Sequence, residues 1–289
     1  MSRKKIIIIS AICAVLGICV LLFPYVSPFI FDSVDVGFVN VLDGSAFLVR
    51  KNVETEILAP MVLKQGDIIY TTTGEANVIL FESEVVRLSP YSKVQLTEMS
   101  DSKILLTQLS GNLSHSVNNL NGNRTYIVKL PETTATATGT QFVTTIGGGY
   151  ESHYVSEGQI FVEDSFTDLS VGILEKSIKR SGEPLVLEPL SAEEKKILAR
   201  EVSQTIQTLQ GLRQAQIAEL TPVVELVKKK YNLTDEDLQI YLAKIDSGEI
   251  DMKDVVANAP ISNHRVDKFI QTTSNIKDSI KTLSELETQ

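Results

Sequence analysis

The side chains best suited to chemistry in this sequence are three histidines and two cysteines. His115, His153 and His264 lie in separate segments, and none has another His or Cys at the spacing of a metal site. Cys13 and Cys19 both fall within the apolar N-terminal run, so the rest of the chain has no thiol nucleophile, ligand or disulfide partner. We therefore expect surface or structural histidines, no metal site and no cofactor.

Other patterns match catalytic or ligand-binding motifs only in part. The sequence lacks a Gly-x-Ser-x-Gly elbow, although a Ser/His/Asp triad stays open because its members need to meet only in space. Gly147, Gly148 and Gly149 are not followed by the Gly-Lys-Ser/Thr of a phosphate loop, and they predict a hairpin turn. Residues 246–251 lack the ligand order of an EF-hand and predict a loop between helices. We predict no catalytic residues; a hydrolase of envelope polymers, which needs an acidic pair in a cleft, is one alternative.

The composition argues against nucleic acid as a partner. The 289-residue chain has a net charge of −9 and no tryptophan. Beyond its N-terminus, the longest basic run is Lys228, Lys229 and Lys230. Proteins that bind phosphate backbones carry larger basic surfaces. A chain of this length accommodates one β domain of ordinary size and a smaller helical region.

The N-terminal segment has the pattern of a membrane anchor. An uncharged and mostly aliphatic stretch follows Arg3, Lys4 and Lys5. About 20 such residues span the hydrocarbon core of a bilayer, so we predict a transmembrane signal anchor at residues 6–26. Positive charge before the span predicts a cytoplasmic segment at residues 1–5 and an extracytoplasmic body. The alternative is a cleaved signal peptide, but the run is long for one and no Ala-x-Ala site follows it.

The next region has the pattern of β-structure. Residues 34–171 alternate short β-branched or aromatic runs with polar turns, which predicts an all-β sandwich or roll. The turns contain residues that tolerate positive φ, such as Asp43 followed by Gly44. Residues 172–190 contain Pro184 among mixed charges and predict a linker or a final extended strand.

The C-terminal residues 191–289 change to a helical period. Ser191 and Glu194 form a capping box before the first helix, and Pro222 restarts the helical pattern. Later helices are predicted at residues 235–244, 250–257 and 266–286. One face of the first helix is polar and uncharged, which predicts either a solvated face or a seam for a partner. Its glutamines are Gln204, Gln207, Gln210, Gln214 and Gln216.

The β region also carries an ordered set of short motifs. The fullest are Leu63-Lys-Gln-Gly-Asp-Ile-Ile-Tyr-Thr, Ala135-Thr-Ala-Thr-Gly-Thr-Gln-Phe and Val155-Ser-Glu-Gly. In this order they resemble the FecR domain, a β-rich extracytoplasmic module named from iron-citrate regulators. The motif positions are Gly66, Asp67, Thr71, Gly111, Pro131, Gly139, Thr140, Phe142 and Gly158.

We expect structural roles for these motif residues. The glycines lie at predicted chain reversals, and Asp67 and Thr140 can bond nearby backbone groups. The sequence departs from the FecR pattern at two places. Glu82-Ser-Glu stands where the family usually has Asp-Gly-Ser, and Thr138 stands where an Arg commonly precedes Gly-Thr. For this reason no binding surface is carried over from the family.

The anchor and the resemblance together imply a membrane-anchored, extracytoplasmic and non-enzymatic binding or scaffold protein. Such a β module presents an edge or a loop surface to an envelope protein or glycan. The alternative is a transmembrane signalling regulator of the FecR kind, an anti-sigma or iron-sensing protein that passes a signal to a sigma factor. Those regulators need a substantial cytoplasmic segment, whereas residues 1–5 alone precede the predicted span.

Overall fold

The computed structural model describes residues 37–81, 84–117, 124–250 and 264–288. The predicted cytoplasmic N-terminus, the predicted anchor at residues 6–26 and both cysteines lie outside the described residues. So does all but the first residue of the helix predicted at 250–257. None of the helices in the described ranges combines the length and the hydropathy of a membrane span.

Seventeen strands precede the helices in the described part of the chain, and they pair into two sheets. The strands are β1 (Gly37–Asp43), β2 (Ala46–Arg50), β3 (Val53–Glu56), β4 (Met61–Val62), β5 (Ile68–Thr71), β6 (Glu75–Leu80), β7 (Glu84–Leu88), β8 (Lys93–Met99), β9 (Lys103–Ser116), β10 (Thr125–Lys129), β11 (Thr134–Ala137), β12 (Gln141–Gly147), β13 (Tyr150–Glu157), β14 (Ile160–Glu163), β15 (Asp168–Val171), β16 (Glu175–Arg180) and β17 (Val186–Pro189).

The long strand β9 joins the two sheets. The first sheet has the order β4, β1, β6, β7, β9, β12, β13, β16, β17, with antiparallel neighbours. The second has the order β3, β2, β5, β8, β9, β10, β11, β14, β15, in which β9 and β10 are parallel. β9 changes sheet near Gly111, whose φ of +80° is readily adopted by glycine.

The two sheets enclose one apolar core. Side chains alternate along a strand, so every second residue points inward. In β8, Val94 and Leu96 are fully buried, whereas the alternating residues Lys93 and Gln95 are partly exposed. Burial of one large apolar side chain contributes about 1.5 to 3 kcal/mol to folding. The largest fully buried side chains are Tyr126, Phe142, Leu63, Ile69, Leu80, Leu88, Leu96, Ile104, Leu106, Leu113, Leu130 and Ile160.

Four helices follow the strands in the described residues. They are α1 (Ala192–Glu219), α2 (Thr221–Tyr231), α3 (Asp235–Asp246) and α4 (His264–Thr288). The predicted capping box of α1 is confirmed, because Ser191 Oγ accepts from the Glu194 amide and Glu194 accepts from the Ser191 amide at 2.8 Å. Pro222 lies in the first turn of α2, as predicted, where its missing N–H costs nothing.

The helices α1 and α4 pack on the outer face of the first sheet. Ile79, Val85 and Val143 of the sheet form a second apolar cluster with helix residues. Arg87 adds a polar link, donating to Gln204 Oε1 at 2.6 Å and to the Gln204 main-chain oxygen at 3.0 Å. The helix residues of the cluster are Leu198, Val202, Ile206, Leu209, Ile276 and Leu286.

The predicted fold class is confirmed in its coarse form, a β-rich region followed by C-terminal helices. Residues 172–190, where a linker or a final extended strand is predicted, contain both β16 and β17. These strands lack a clear apolar alternation because two of their buried side chains are lysines. Lys176 reaches Glu194 at 2.8 Å, and Lys179 reaches Asp164 at 2.7 Å.

Candidate interaction surface

The β region has two ends, and the turns at one of them form what we call the turn end. The strand registers place the turns at residues 43–45, 72–74, 89–92, 147–149 and 164–167 at this end. The chain enters β1 at Gly37, at the opposite end.

Large apolar side chains are exposed on the turn end. Phe166 is 86% exposed, Tyr91 70%, Leu109 41% and Tyr150 37%. We call these four residues the turn surface. A single exposed apolar residue is ordinary, but several on neighbouring turns indicate a contact site. Tyr91 and Phe166 lie on turns that are stabilised by hydrogen bonds from buried polar side chains.

The turns and strand ends that carry these residues are neighbours. Ser110 Oγ lies 3.5 Å from the Tyr91 main-chain oxygen, and Leu109 precedes Ser110. Gly111 pairs with Ile146, at the end of the hairpin that leads to Tyr150. The surface therefore continues from β7 and β9 to the β12–β13 hairpin.

The remaining link runs to Phe166. Tyr150 pairs with Arg180 on β16. The preceding residue, Lys179, places its ammonium 5.6 Å from the centroid of the Phe166 ring. Cations favour such positions over an aromatic face. The fourth member of the turn surface thus lies beside the same strand that flanks Tyr150.

The turn that carries Tyr91 is held by buried hydroxyl groups. Thr71 Oγ1 donates to the Ser89 main-chain oxygen at 2.7 Å and accepts from the Ser92 amide at 3.0 Å. Ser92 Oγ donates to the Asn112 oxygen at 2.9 Å. Tyr91 has a φ of +60°, a conformation that costs energy outside glycine, so these bonds fix an otherwise unfavourable turn.

The turn that carries Phe166 is held by one buried ion pair. Asp164 Oδ1 accepts from the amides of Phe166 and Thr167 at 2.7 and 2.6 Å. Asp164 Oδ2 accepts from the Lys179 ammonium at 2.7 Å, and both side chains are buried. The hydrogen bond from Lys179, with those from the two amides, lowers the pKa of Asp164 to about 2. Phe166 is therefore presented by a preorganised turn, which reduces the entropy cost of binding.

The motif residues of the FecR-like pattern are distributed over the whole β region. Thr71, Gly111 and Pro131 lie at the turn end, and Phe142 is in the core. The others lie toward the opposite end: Gly66, Asp67, Gly139, Thr140 and Gly158. The motif therefore does not form one cluster.

The motif residues away from the turn end make buried contacts. Asp67 accepts from Arg50 Nε at 2.8 Å and from the Lys64 amide at 2.7 Å. Thr140 Oγ1 donates to the Gln159 main-chain oxygen at 2.9 Å. A Cβ on Gly158 would lie 2.7 Å from the Gly139 oxygen, so these two loops approach too closely for a side chain.

The histidines in separate sequence segments are brought together. His115 Nε2 lies 3.0 Å from Thr144 Oγ1, and Thr144 pairs with His153 on the next strand. Both imidazoles are fully buried, and burial lowers the pKa of each to about 3. His115 Nδ1 also bonds Tyr126 Oη at 2.8 Å, and His153 Nδ1 bonds Ser177 Oγ at 3.0 Å. This network lies within the protein, and both imidazoles are closed off from solvent.

Sequence spacing gave no sign of this network, since strand order alone makes β9, β12 and β13 neighbours. Across the ranges that the structure describes, no group of three or more His, Cys, Asp or Glu side chains is arranged to hold a metal ion. The side chain of the third histidine, His264, lies outside the described residues.

Comparisons with known proteins give limited information. No protein-family model matches the chain, and no curated protein sequence matches it. Two matching crystal structures are of a candidate anti-sigma factor from Parabacteroides distasonis ATCC 8503, each 16% identical to this chain. The first has a TM-score of 0.41 and covers 46% of this chain and 63% of its own. The second has a TM-score of 0.42, with 50% and 72% covered. Likeness at this level carries no argument about function.

Proposed function

We propose that this protein is a non-enzymatic binding or scaffold protein of the cell envelope, held at the membrane by its N-terminal segment. The body would lie on the extracytoplasmic side and contact an envelope protein or glycan through the turn surface. The anchor and the FecR-like character are inferred from the sequence. The turn surface of four exposed apolar side chains is the observation that carries the proposal.

The position of the turn surface supports this function. The turns lie at the end of the β region opposite Gly37, the first residue that the structure describes. The helical tail covers the outer face of the first sheet rather than the turns. Tyr is among the residues that most often dominate the binding energy of protein interfaces.

Site-specific photo-crosslinking in intact cells tests the contact. A photoreactive residue in place of Tyr91 or Phe166 should give a discrete adduct with one envelope component. The matched controls are Val53 and Ile173, which are 64% and 49% exposed at the opposite end. Equal adducts from all four positions, or none from Tyr91 and Phe166, would contradict the turn surface as the contact site.

The orientation is tested separately by protease treatment of intact cells or spheroplasts. An epitope after Gln289 should be lost from the membrane-bound full-length chain before lysis. Protection of the epitope until lysis would place the body in the cytoplasm and overturn the envelope assignment. The two experiments are independent, so a failed contact site does not decide the topology.

One observation favours signalling regulation as a second function. The contact between α1 and the first sheet buries polar atoms that have no hydrogen-bond partner in the described ranges. They include Asn77 Oδ1 and Arg87 Nε, whose side chains bond Thr208 and Gln204 of α1. Each such group costs about 1 to 3 kcal/mol, which weakens the docking of the tail. A partner that binds the sheet can displace a weakly docked tail. The released tail then signals that the partner is bound.

A photoreactive residue at Val85, beneath the helices, distinguishes this second function. Val85 is buried in the cluster between the sheet and α1 and α4. Adducts with another protein would show that the partner displaces the helices from the sheet, and they would support regulation. Adducts confined to the protein's own helices would contradict it and leave the scaffold function intact.

A further inference from the structure

The contact between α4 and the end of β13 contains a carboxylate that is largely withdrawn from water. Gln141 on β12 links the two elements with its side-chain amide. Its Nε2 donates to Glu157 Oε2 at 2.7 Å and to Ser279 Oγ on α4 at 2.5 Å. Gln141 and Ser279 are both buried, so Glu157 lies at the edge of a closed interface.

Charged residues of α4 interact electrostatically with Glu157. They are Asp278 and Glu285, with Lys281 between them in the sequence. Lys281 is itself shared, since its ammonium lies 3.8 Å from Glu285. From the sheet, β12 presents the uncharged Gln141. On β16, Lys176 is bonded to Glu194 of α1.

We propose that Glu157 makes the docking of α4 on the first sheet dependent on pH. A protonated Glu157 fits the interface, whereas an ionised Glu157 adds a negative charge at a partly buried position close to two further carboxylates. This pH-dependent docking goes beyond the proposed binding function, and it does not depend on which partner occupies the turn surface.

The electrostatic surroundings agree with the geometry. Burial, with Asp278 and Glu285, raises the pKa of Glu157 from 4.5 to about 7, and Lys281 opposes this effect. Burial also raises the pKa of Asp278, which therefore accepts a proton more readily in the same interface. Neighbouring carboxylates and poor solvation act in the same direction on both groups.

The sign of the dependence follows from linkage. A group with a raised pKa in the docked state favours docking at low pH, and that contribution is lost as the pH rises through 7. With a pKa of 4.5 when released and about 7 when docked, the docking constant falls about 25-fold between pH 5.5 and pH 8. α4 should therefore be released more often at the higher pH.

Hydrogen exchange of the full chain measures this release. The exchange rate of each α4 amide is divided by the intrinsic rate of the same amide in an unfolded chain at that pH, which removes the pH dependence of the chemical step. We expect the protection of α4 to fall about 25-fold from pH 5.5 to pH 8. In Glu157→Gln, α4 should stay protected at both pH values. Wild-type protection that does not change with pH would overturn the proposal.

Two further variants complete the test. Glu163→Gln changes an exposed carboxylate on β14, in the other sheet, and should leave the dependence unchanged. Asp278→Asn removes a repulsive neighbour and should reduce the dependence, and it replaces Glu157→Gln if that variant does not fold. A full wild-type dependence in Glu157→Gln, or in Asp278→Asn when it is used, would also overturn the proposal.

Discussion

The imidazole ring of His115 is stacked on the phenyl ring of Phe142, with 4.6 Å between the ring centroids and 17° between the planes. Tyr126 completes the group, its ring edge-on to Phe142 at 6.3 Å. Aromatic groups packed in this way gain from both burial and ring geometry. The histidine network therefore belongs to the core and couples the stability of the fold to pH.

The first prediction concerns acid sensitivity. Because burial lowers the pKa of His153 to about 3, the unfolded chain binds a proton below pH 6.5 that the folded protein rejects. Stability is therefore lost as the pH falls from 6.5 toward 3. From pH 7 to pH 5.5, the free energy of unfolding should fall in both proteins. The fall should be about 1 kcal/mol smaller in His153→Gln than in the wild type.

Urea unfolding of both proteins at the two pH values measures this difference. The comparison of changes between two pH values removes the cost of the substitution itself. It also removes the opposite contribution of Glu157, which is present in both proteins. Equal losses in wild type and variant would show that His153 is not kept neutral by the fold.

The second prediction separates backbone conformation from close packing at two glycines. Gly66 and Gly111 both have positive φ, +89° and +80°. A Cβ on Gly66 would meet no atom within 4 Å, whereas one on Gly111 would lie 2.6 Å from Ser92 Cα and 2.8 Å from the Tyr91 oxygen. Gly66→Ala should cost about 1 kcal/mol of unfolding free energy, and Gly111→Ala at least about twice that.

Chemical denaturation of the two variants provides the measurement. The Gly66 variant is the control, since it carries the conformational cost without the overlap. The turn surface supplies a second readout, because displacement of Ser92 should also reduce crosslinking from Tyr91. Equal costs at the two positions would show that the turn relaxes to admit a methyl group.

The third prediction concerns the ion pair that holds α3 to α1. Arg213 Nη1 and Nη2 donate to the two carboxylate oxygens of Asp246 at 2.5 and 2.7 Å, and both side chains are buried. Removal of one partner leaves an unpaired buried charge, so Asp246→Ala should cost about 3 kcal/mol. The helical circular dichroism signal during urea unfolding measures the loss.

An exposed ion pair in the same tail is the matched control. Lys228 Nζ lies 2.7 Å from Glu225, whose side chain is 60% exposed. Glu225→Ala should change the unfolding free energy by less than about 0.5 kcal/mol, because solvent screens the charges. Similar effects from Asp246→Ala and Glu225→Ala would contradict the burial of the Arg213 pair.

Local features of the fold follow from the sequence. The hairpin at residues 147–149 and the capping box of Ser191 and Glu194 appear where they are predicted. Such features depend on interactions between residues within a few positions of one another. A short stretch of sequence is therefore enough to predict them. The alternation of strands such as β8 is predictable for the same reason.

Strands with buried polar residues were harder to predict. β16 has lysines and a serine where a strand usually has apolar side chains. Lys179 is buried because Asp164 neutralises it, and Ser177 is buried because His153 bonds it. A polar residue can be buried only when a hydrogen-bond or ion-pair partner lies next to it. The sequence does not show which strands are neighbours, so it does not show which polar residues have such a partner.

By itself, therefore, the sequence determined the β-rich region, its turns and the helical tail, along with the prediction of a membrane anchor. Only the tertiary structure brought His115 beside Thr144, gathered the turn surface at one end and set Gln141 against Ser279, 138 residues away. Local periodicity decides which face of an element is apolar. Which faces meet is decided by strand order and packing, whose energy comes from contacts between residues far apart in the chain.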